Sequence, residues 1–204
     1  MQYVKVKGSL RYLKIALSQW CHPQKWLIKR SDEYPFYTMG RTAYLDKGDS
    51  YNEDREYWND KMMGMMPSVY HEVLVALRKH LGEQVFLDKE LAYPGLHIFD
   101  SHPAFTRMSG DWHSDVPHET LGLGNTDVMA WTYSIQMPEG GGGVDFINSG
   151  FIPHKTGYMV VHDGMEPHRI ASFKKEGLKS RITMQGHIVR RREGPFEGKL
   201  VTFW

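Results

Sequence analysis

Two stretches in the first half of the chain repeat apolar residues at helical spacing: Leu10, Leu13, Leu17 and Trp20, then Val69, Val73, Leu74, Leu77 and Leu81. Residues three and four apart share one side of a helix, so both stretches predict amphipathic helices. The second is followed by Gly82, a residue suited to closing a helix. Between them, residues 34–51 are rich in aromatics and glycine without a clean period, which predicts irregular structure with a short strand over 42–45.

From Pro94 onward the pattern changes to short apolar runs separated by turns, at 96–99, 128–137, 144–147, 158–162, 168–173 and 180–189. Strands at such intervals predict an antiparallel sandwich or barrel. In the last run, alternation places Arg181, Thr183, Gln185 and His187 on one face and Ile182, Met184 and Ile188 on the other. The apolar face calls for cover, which the amino-terminal helices can supply. The polar face, carrying an arginine, predicts a cavity that holds something anionic. Trp131 and Tyr133 share a face opposite Thr132 and Ser134, and alternation leaves open which pair looks inward. Four glycines at 140–143 suit a hairpin turn between two strands.

Composition narrows the class. The 204 residues carry 25 Lys and Arg against 24 Asp and Glu, and are 41% hydrophobic and 24% charged, a balance suited to one globular domain over 1–204. Within it, 1–93 reads as a helical and irregular support region, 94–190 as the β core and 191–204 as a C-terminal tail. A net charge of +1 argues against a nucleic-acid partner. Cys21 is the only cysteine, so no intrachain disulfide forms and a reducing, cytoplasmic setting is expected. The longest apolar run is five residues, 73–77. A membrane span needs about 20, so no membrane partner is expected. The first twenty residues interleave Lys5, Lys7, Arg11 and Lys14 with apolar positions and do not read as a signal peptide.

The sharpest chemical signal is Trp112, His113, Ser114, Asp115, with His168, in Pro167-His168-Arg169, 52 intervening residues after Asp115. On an extended chain, residues two apart share a face with Cα atoms about 6.5 Å apart. An imidazole and a carboxylate can then converge on one ion through bonds of roughly 2.1 Å; on a helix the two would diverge. His168 opens a later strand and can return a nitrogen to the same point. Two histidines and one carboxylate leave coordination positions open, as in non-haem Fe(II) oxygenases.

His113, Asp115, His168 and Arg181, in that order, resemble the Fe(II)/2-oxoglutarate-dependent oxygenase superfamily, and most of all its prolyl-4-hydroxylase-like branch. The match covers roughly residues 94–189. Pro138, Glu139, Gly140 and Gly141 stand where the family has a Gly-Gly turn, residues 157–161 where it has the strand before the distal histidine, and Arg181-Ile182-Thr183 where it has its oxoglutarate motif. The resemblance implies a mainly β fold with N-terminal helices, a double-stranded β-helix (a jelly-roll or cupin-like barrel). It implies His113, Asp115 and His168 as catalytic ligands of Fe(II), 2-oxoglutarate and O2 as cosubstrates, and Arg181 and Thr183 as the cosubstrate-binding pair. The expected reaction hydroxylates an unactivated C–H bond with release of succinate and CO2. A guanidinium presents a donor fork that matches a carboxylate, which suits Arg181 to the distal end of a dicarboxylate. Asp115 separates the chain from related halogenases, which replace that carboxylate.

His162 competes with His168, but the family's ligand is the later histidine. His118, five residues after His113, falls on the opposite face of an extended chain. Arg169 points away from the proposed ion, and Arg190, Arg191 and Arg192 read as a solvated edge. Met62, Met63, Met65 and Met66 read as core filling or a flexible contact surface. A chain of this length favours a small-molecule substrate, with His102, Arg107 and the 116–127 loop near the metal in sequence. Two rival readings stand: a cupin-like metal enzyme that does not use 2-oxoglutarate, and a non-catalytic binding module on the same fold. Oligomeric state cannot be read from the pattern.

Overall fold

A computed structural model describes residues 2–6, 27–46, 49–107, 110–124, 127–173 and 179–204. The helix predicted over residues 10–20, and Cys21, lie outside the described residues. Twelve strands are described: β1 (Gln2–Lys5), β2 (Ile28–Lys29), β3 (Phe36–Met39), β4 (Val85–Leu87), β5 (Gly95–Phe99), β6 (Met129–Gln136), β7 (Gly143–Phe146), β8 (Gly150–Pro153), β9 (Tyr158–Asp163), β10 (His168–Ala171), β11 (Arg181–Arg190) and β12 (Leu200–Phe203). The helices are α1 (Asp49–Glu53), α2 (Arg55–Met65), α3 (Pro67–Leu81) and α4 (Pro117–Thr120). No helix among the described residues is long and apolar enough to cross a membrane.

Nine strands form one sheet in the order β1-β9-β6-β11-β5-β3-β2, with β12 beside β11 and β4 beside β12. A second sheet holds three, in the order β10-β7-β8. The fold is mainly β with helices, as expected, but the jelly-roll or cupin-like barrel, the double-stranded β-helix of the resemblance, does not form. Among the described residues neither sheet closes on itself, because the edge strands of the large sheet are not bonded to each other or to the small sheet. The glycine turn shows why. It does not make a hairpin: β6 pairs with β9 and β11, whereas β7 pairs with β8 and β10. Gly141 and Gly142, at φ +75° and +143°, carry the chain out of one sheet and into the other.

Alternation sets which side chains meet the helices. Trp131, Tyr133 and Ile135 of β6 join Met159 and Val161 of β9, Ile182, Met184 and Ile188 of β11, and Leu96 and Ile98 of β5 in one buried cluster. Trp58 and Met62 of α2 and Val69, Tyr70, Val73 and Leu77 of α3 complete it, so helices cover the apolar face as predicted. Met62 and Met66 are core residues at 1% exposure. α3 begins with Pro67, whose missing N–H costs nothing in a first turn, and ends at Gly82, φ +78°, whose N–H bonds to the Arg78 carbonyl.

Two segments differ from expectation. Residues 42–45 are not a strand; the strand is β3, and residues 43–45 form a turn. The turn is tied by Asp46, which accepts from the Thr42 N–H at 2.8 Å, from both terminal nitrogens of Arg30 at 2.8 and 2.7 Å, and from Arg41 at 3.0 Å. The C-terminal stretch is no loose tail: β12 is buried throughout, the Trp204 N–H donates to the Ala92 carbonyl, and the Ala43 N–H donates to the Trp204 carbonyl. Nor is the arginine run merely solvated, since Arg191 reaches the fully buried carboxylate of Asp88 at 3.4 Å.

The Trp204 ring lies against Gly95, where an added Cβ would stand 1.9 Å from Trp204 Cζ3 and 2.3 Å from the Met39 carbonyl oxygen. The backbone obstacle cannot rotate away. Gly95→Ala is therefore expected to cost about 2–3 kcal/mol or more, read as a lowered urea midpoint; an unchanged midpoint would contradict this packing.

Candidate metal centre

The His-x-Asp segment is extended, as its spacing requires, because it docks as a short strand against β10 and the turn before it. His113 and His168 form an antiparallel bridge, with His113 N–H to His168 O at 2.9 Å and His168 N–H to His113 O at 2.8 Å. Two residues on, the Asp115 N–H donates to the Gly164 carbonyl at 2.8 Å. These bonds bring one ligand atom each from His113, Asp115 and His168 within 4.8 Å of one another. His168 Nε2 is 3.4 Å and His113 Nε2 4.0 Å from the Asp115 carboxylate.

The histidine tautomers follow from their other nitrogens. Nδ1 of His113 lies 2.8 Å from the Asp111 carbonyl, and Nδ1 of His168 lies 2.8 Å from the Glu166 carbonyl. A carbonyl only accepts, so each Nδ1 carries a proton and each Nε2 is the nitrogen turned toward Asp115. Two imidazole nitrogens and a carboxylate on one side of a centre fit a divalent transition metal with open positions. The His168 side chain is 8% exposed and that of His113 49%, so the centre is walled by protein at one histidine and open at the other.

A cavity of about 470 Å³ runs from these residues across the large sheet. Register fixes what lines it. Thr183 of β11 pairs with His97 of β5 and Ser134 of β6, and Gln185 pairs with Thr132, so all face the same side. Thr132 and Ser134 thus turn toward the cavity side, opposite the core-facing Trp131 and Tyr133. Val144 and Ile170 of the small sheet form part of the opposite wall.

Arg181 faces this cavity and is 2% exposed. Its Nη2 is 3.4 Å from His154 Nδ1, its guanidinium lies 5.2 Å from the Phe99 ring centroid, and Nε and Nη1 have no partner among the described residues. Among the described residues no carboxylate is paired with it. Burial lowers its pKa to about 10, still far above neutrality, so the side chain remains a cation. An uncompensated buried charge costs several kcal/mol, and the cavity beside it is shaped to admit an anion that removes the cost. Thr183 Oγ1 and Ser134 Oγ, both fully buried, also lack partners.

Burial holds His97 and His154 well below the ordinary histidine range, with the Arg181 charge as a second cause. Burial also lowers His187, and takes His162 down to about 4. The cavity lining is therefore rich in neutral imidazoles.

The structure brings His113, Asp115, His168 and Arg181 to one cavity; Thr183 lies on the same face of β11 as Arg181 but is not among the lining residues. His162 stays outside the converging set; its ring packs 4.8 Å from that of His168 and its Nδ1 bonds to the Asp163 carbonyl. His118 is buried in α4 with both ring nitrogens unpartnered. Of the flanking residues, Val116, Pro117 and Thr120 line the cavity, whereas His102 caps a turn by accepting from the Ala104 N–H. Tyr44, His97 and His154 were not singled out. Tyr44 is carried in by the Asp46-tied turn, and its hydroxyl bonds to His97 Nε2 and accepts from Gln185 at 3.1 Å. Gln185 and His187 were legible from alternation alone.

No protein-family model matches the sequence, and no curated protein does. Among solved structures, AviO1 from Streptomyces viridochromogenes Tue57 is 14% identical with a TM-score of 0.49 over 89% of this chain and 86% of its own. A Pseudomonas putida prolyl-4-hydroxylase is 13% identical with a TM-score of 0.45 over 95% and 92%. EctD from S. alaskensis in its apoform is 12% identical with a TM-score of 0.49 over 97% and 77%.

His97 and His154 generate a pH dependence with a definite sign. Both titrate near ~6.5 when unfolded and lower when folded, so below that pH the unfolded chain binds more protons. Stability is full above it and falls as the pH drops. The urea midpoint is expected to fall between about pH 7.5 and about pH 5.5, and less so in His154→Gln, whose side chain cannot charge. Equal falls in both proteins would count against a buried neutral His154.

Proposed function

We propose that this chain is an Fe(II)/2-oxoglutarate-dependent oxygenase that hydroxylates a small-molecule or amino-acid-like substrate and releases succinate and CO2. The observation that carries the reading is one cavity holding both a convergent two-histidine, one-aspartate set and a buried, unpaired arginine. A metal with open positions and a cation on β11 in the same cavity match the two ends of a chelating dicarboxylate. The cavity volume of about 470 Å³ is in the range of small-molecule sites. The lone Cys21 agrees with a reducing compartment, and we place the enzyme in the cytoplasm.

When bound, iron supplies the redox chemistry that couples oxidative decarboxylation of the cosubstrate to oxygen insertion at a C–H bond. The protein's part is positioning. His113 and His168 offer Nε2 because their Nδ1 protons are held by carbonyls, and Asp115 offers a carboxylate oxygen. Arg181 holds the distal carboxylate with the donors that now lack partners, and the Thr183 hydroxyl adds a further bond. Phe99, Val144, Val160 and Ile170 keep water from the cosubstrate's methylene carbons. Val116, Pro117 and Thr120, beside the exposed His113, flank the substrate's way in.

Anaerobic, metal-free protein given Fe(II) and then 2-oxoglutarate is expected to develop the visible charge-transfer band of the chelate. Asp115→Ala should lose the band and succinate formation together, and Arg181→Ala should weaken it. Succinate production that persists in Asp115→Ala sinks the assignment. Iron binding without the band favours the cupin-like reading, and absence of metal binding favours the binding module.

Arg181 also yields a stability test. Without ligand, Arg181→Met should unfold no earlier than wild type, because removing a buried unpaired charge relieves a cost. Wild type with its metal and 2-oxoglutarate at about 100 times Kd should gain about 2.7 kcal/mol, or roughly 5–10 °C. The variant, which keeps the metal set, should gain less than the wild type. A variant clearly less stable than the unliganded wild type would mean that the guanidinium is already compensated.

A further inference from the structure

Each histidine of the triad has an outer partner that sets its orientation, the Asp111 carbonyl for His113 and the Glu166 carbonyl for His168. The third member lacks one. Asp115 is anchored through its backbone, but its carboxylate, 16% exposed, accepts no hydrogen bond among the described residues. An unheld carboxylate can rotate between one-oxygen and two-oxygen ligation, and the second mode fills a position that a chelating cosubstrate needs.

One buried group faces it. His187 of β11 is 5% exposed, its Nδ1 stands 3.8 Å from Asp115 Oδ2, and neither ring nitrogen has a hydrogen-bond partner among the described residues. Its position is well determined. His187 pairs with Ala130 of β6 and Phe203 of β12; the Phe203 ring lies 5.7 Å from its own and the Tyr44 ring meets it edge-on at 6.5 Å. Buried N–H groups are almost always bonded, and Asp115 Oδ2 is an acceptor less than 1 Å beyond the ordinary distance of about 2.9 Å.

Taking the triad as the metal site, we propose that His187 is a positioning residue for Asp115. Its Nδ1–H donates to the carboxylate oxygen that does not ligate, holding Asp115 to one-oxygen coordination. His187 thereby completes for the aspartate what the two backbone carbonyls do for the histidines. The gap closes by a small rotation of the carboxylate when its other oxygen takes a metal.

Co(II) alone, titrated into metal-free protein and followed by its visible absorption, separates this role from packing. His187→Phe keeps a ring of similar shape without a donor, and His187→Asn keeps an N–H near the place of Nδ1. Outer partners of metal ligands are worth about 10–100-fold in affinity. His187→Phe should weaken Co(II) by that factor, and His187→Asn should recover most of it, with His113 and His168 untouched. Unchanged affinity in His187→Phe overturns the proposal, as do equal losses in the Phe and Asn variants, which would mark a packing effect. If wild type itself fails to bind Co(II), the metal reading has failed and this role with it. If Asp115→Ala loses Co(II) while His187→Phe does not, the metal reading stands and only the role of His187 falls.

Discussion

Strand β11 lies inside the large sheet, paired with β6 along one side and with β5 and β12 in succession along the other. Both its faces are covered, so its two-residue alternation divides the molecule into two environments. Ile182, Met184 and Ile188 meet the helices, where only close-packed hydrocarbon is tolerated. Arg181, Gln185 and His187 meet the cavity, and Thr183 lies on their side of the strand. A register slip of one residue would drive Arg181 into the core and Met184 into the cavity. Neighbouring strands obey the same parity, so the hydrophobic packing that stabilises the sheet also aims the polar side chains.

The candidate metal ligands arise where the two sheets meet. His168 belongs to β10 of the small sheet; His113 and Asp115 lie on an extended stretch bound to β10 and its preceding turn by three backbone hydrogen bonds. The three ligands are thus held relative to one another by local pairing, whereas Arg181, His187 and Tyr44 come from the large sheet and its turn. Closing the sheets into a barrel is not needed for this. What is needed is that the chain change sheets after β6, which the glycine turn accomplishes, so that two walls face each other across a cavity.

Six strand runs of the second half and the second helix were legible in the sequence to within one or two residues, because each carries its period in uninterrupted form. Order and spacing made His113, Asp115, His168 and Arg181 candidates together, and the four lie in one cavity. The rest failed for physical reasons. β3 and β12 are short, and the residues around β3 carry no period; β12, LVTF, is buried on all four residues, so it gives no alternation to read. The hairpin and the barrel were inferred from glycines and strand spacing, which establish that a turn exists but not which strand receives the chain. His97 and His154 are single histidines whose meaning comes only from cross-strand neighbours. Tyr44 reaches the cavity through an Arg30, Arg41 and Asp46 cluster whose members lie up to 16 positions apart.

The cavity's polarity has a consequence for stability. A buried cation and five buried imidazoles line one cavity, and those of their polar atoms that lack a partner among the described residues oppose folding in the absence of ligands, having lost water without gaining a bond. The large apolar core on the far side of the same sheet offsets that cost, which is why the helices and the site are parts of one design rather than a scaffold with an appendage. Ligands that satisfy Arg181 and the triad would recover stabilisation already latent in the empty fold. Affinity here then depends less on forming new contacts than on ending the isolation of groups that the sheet has fixed in place.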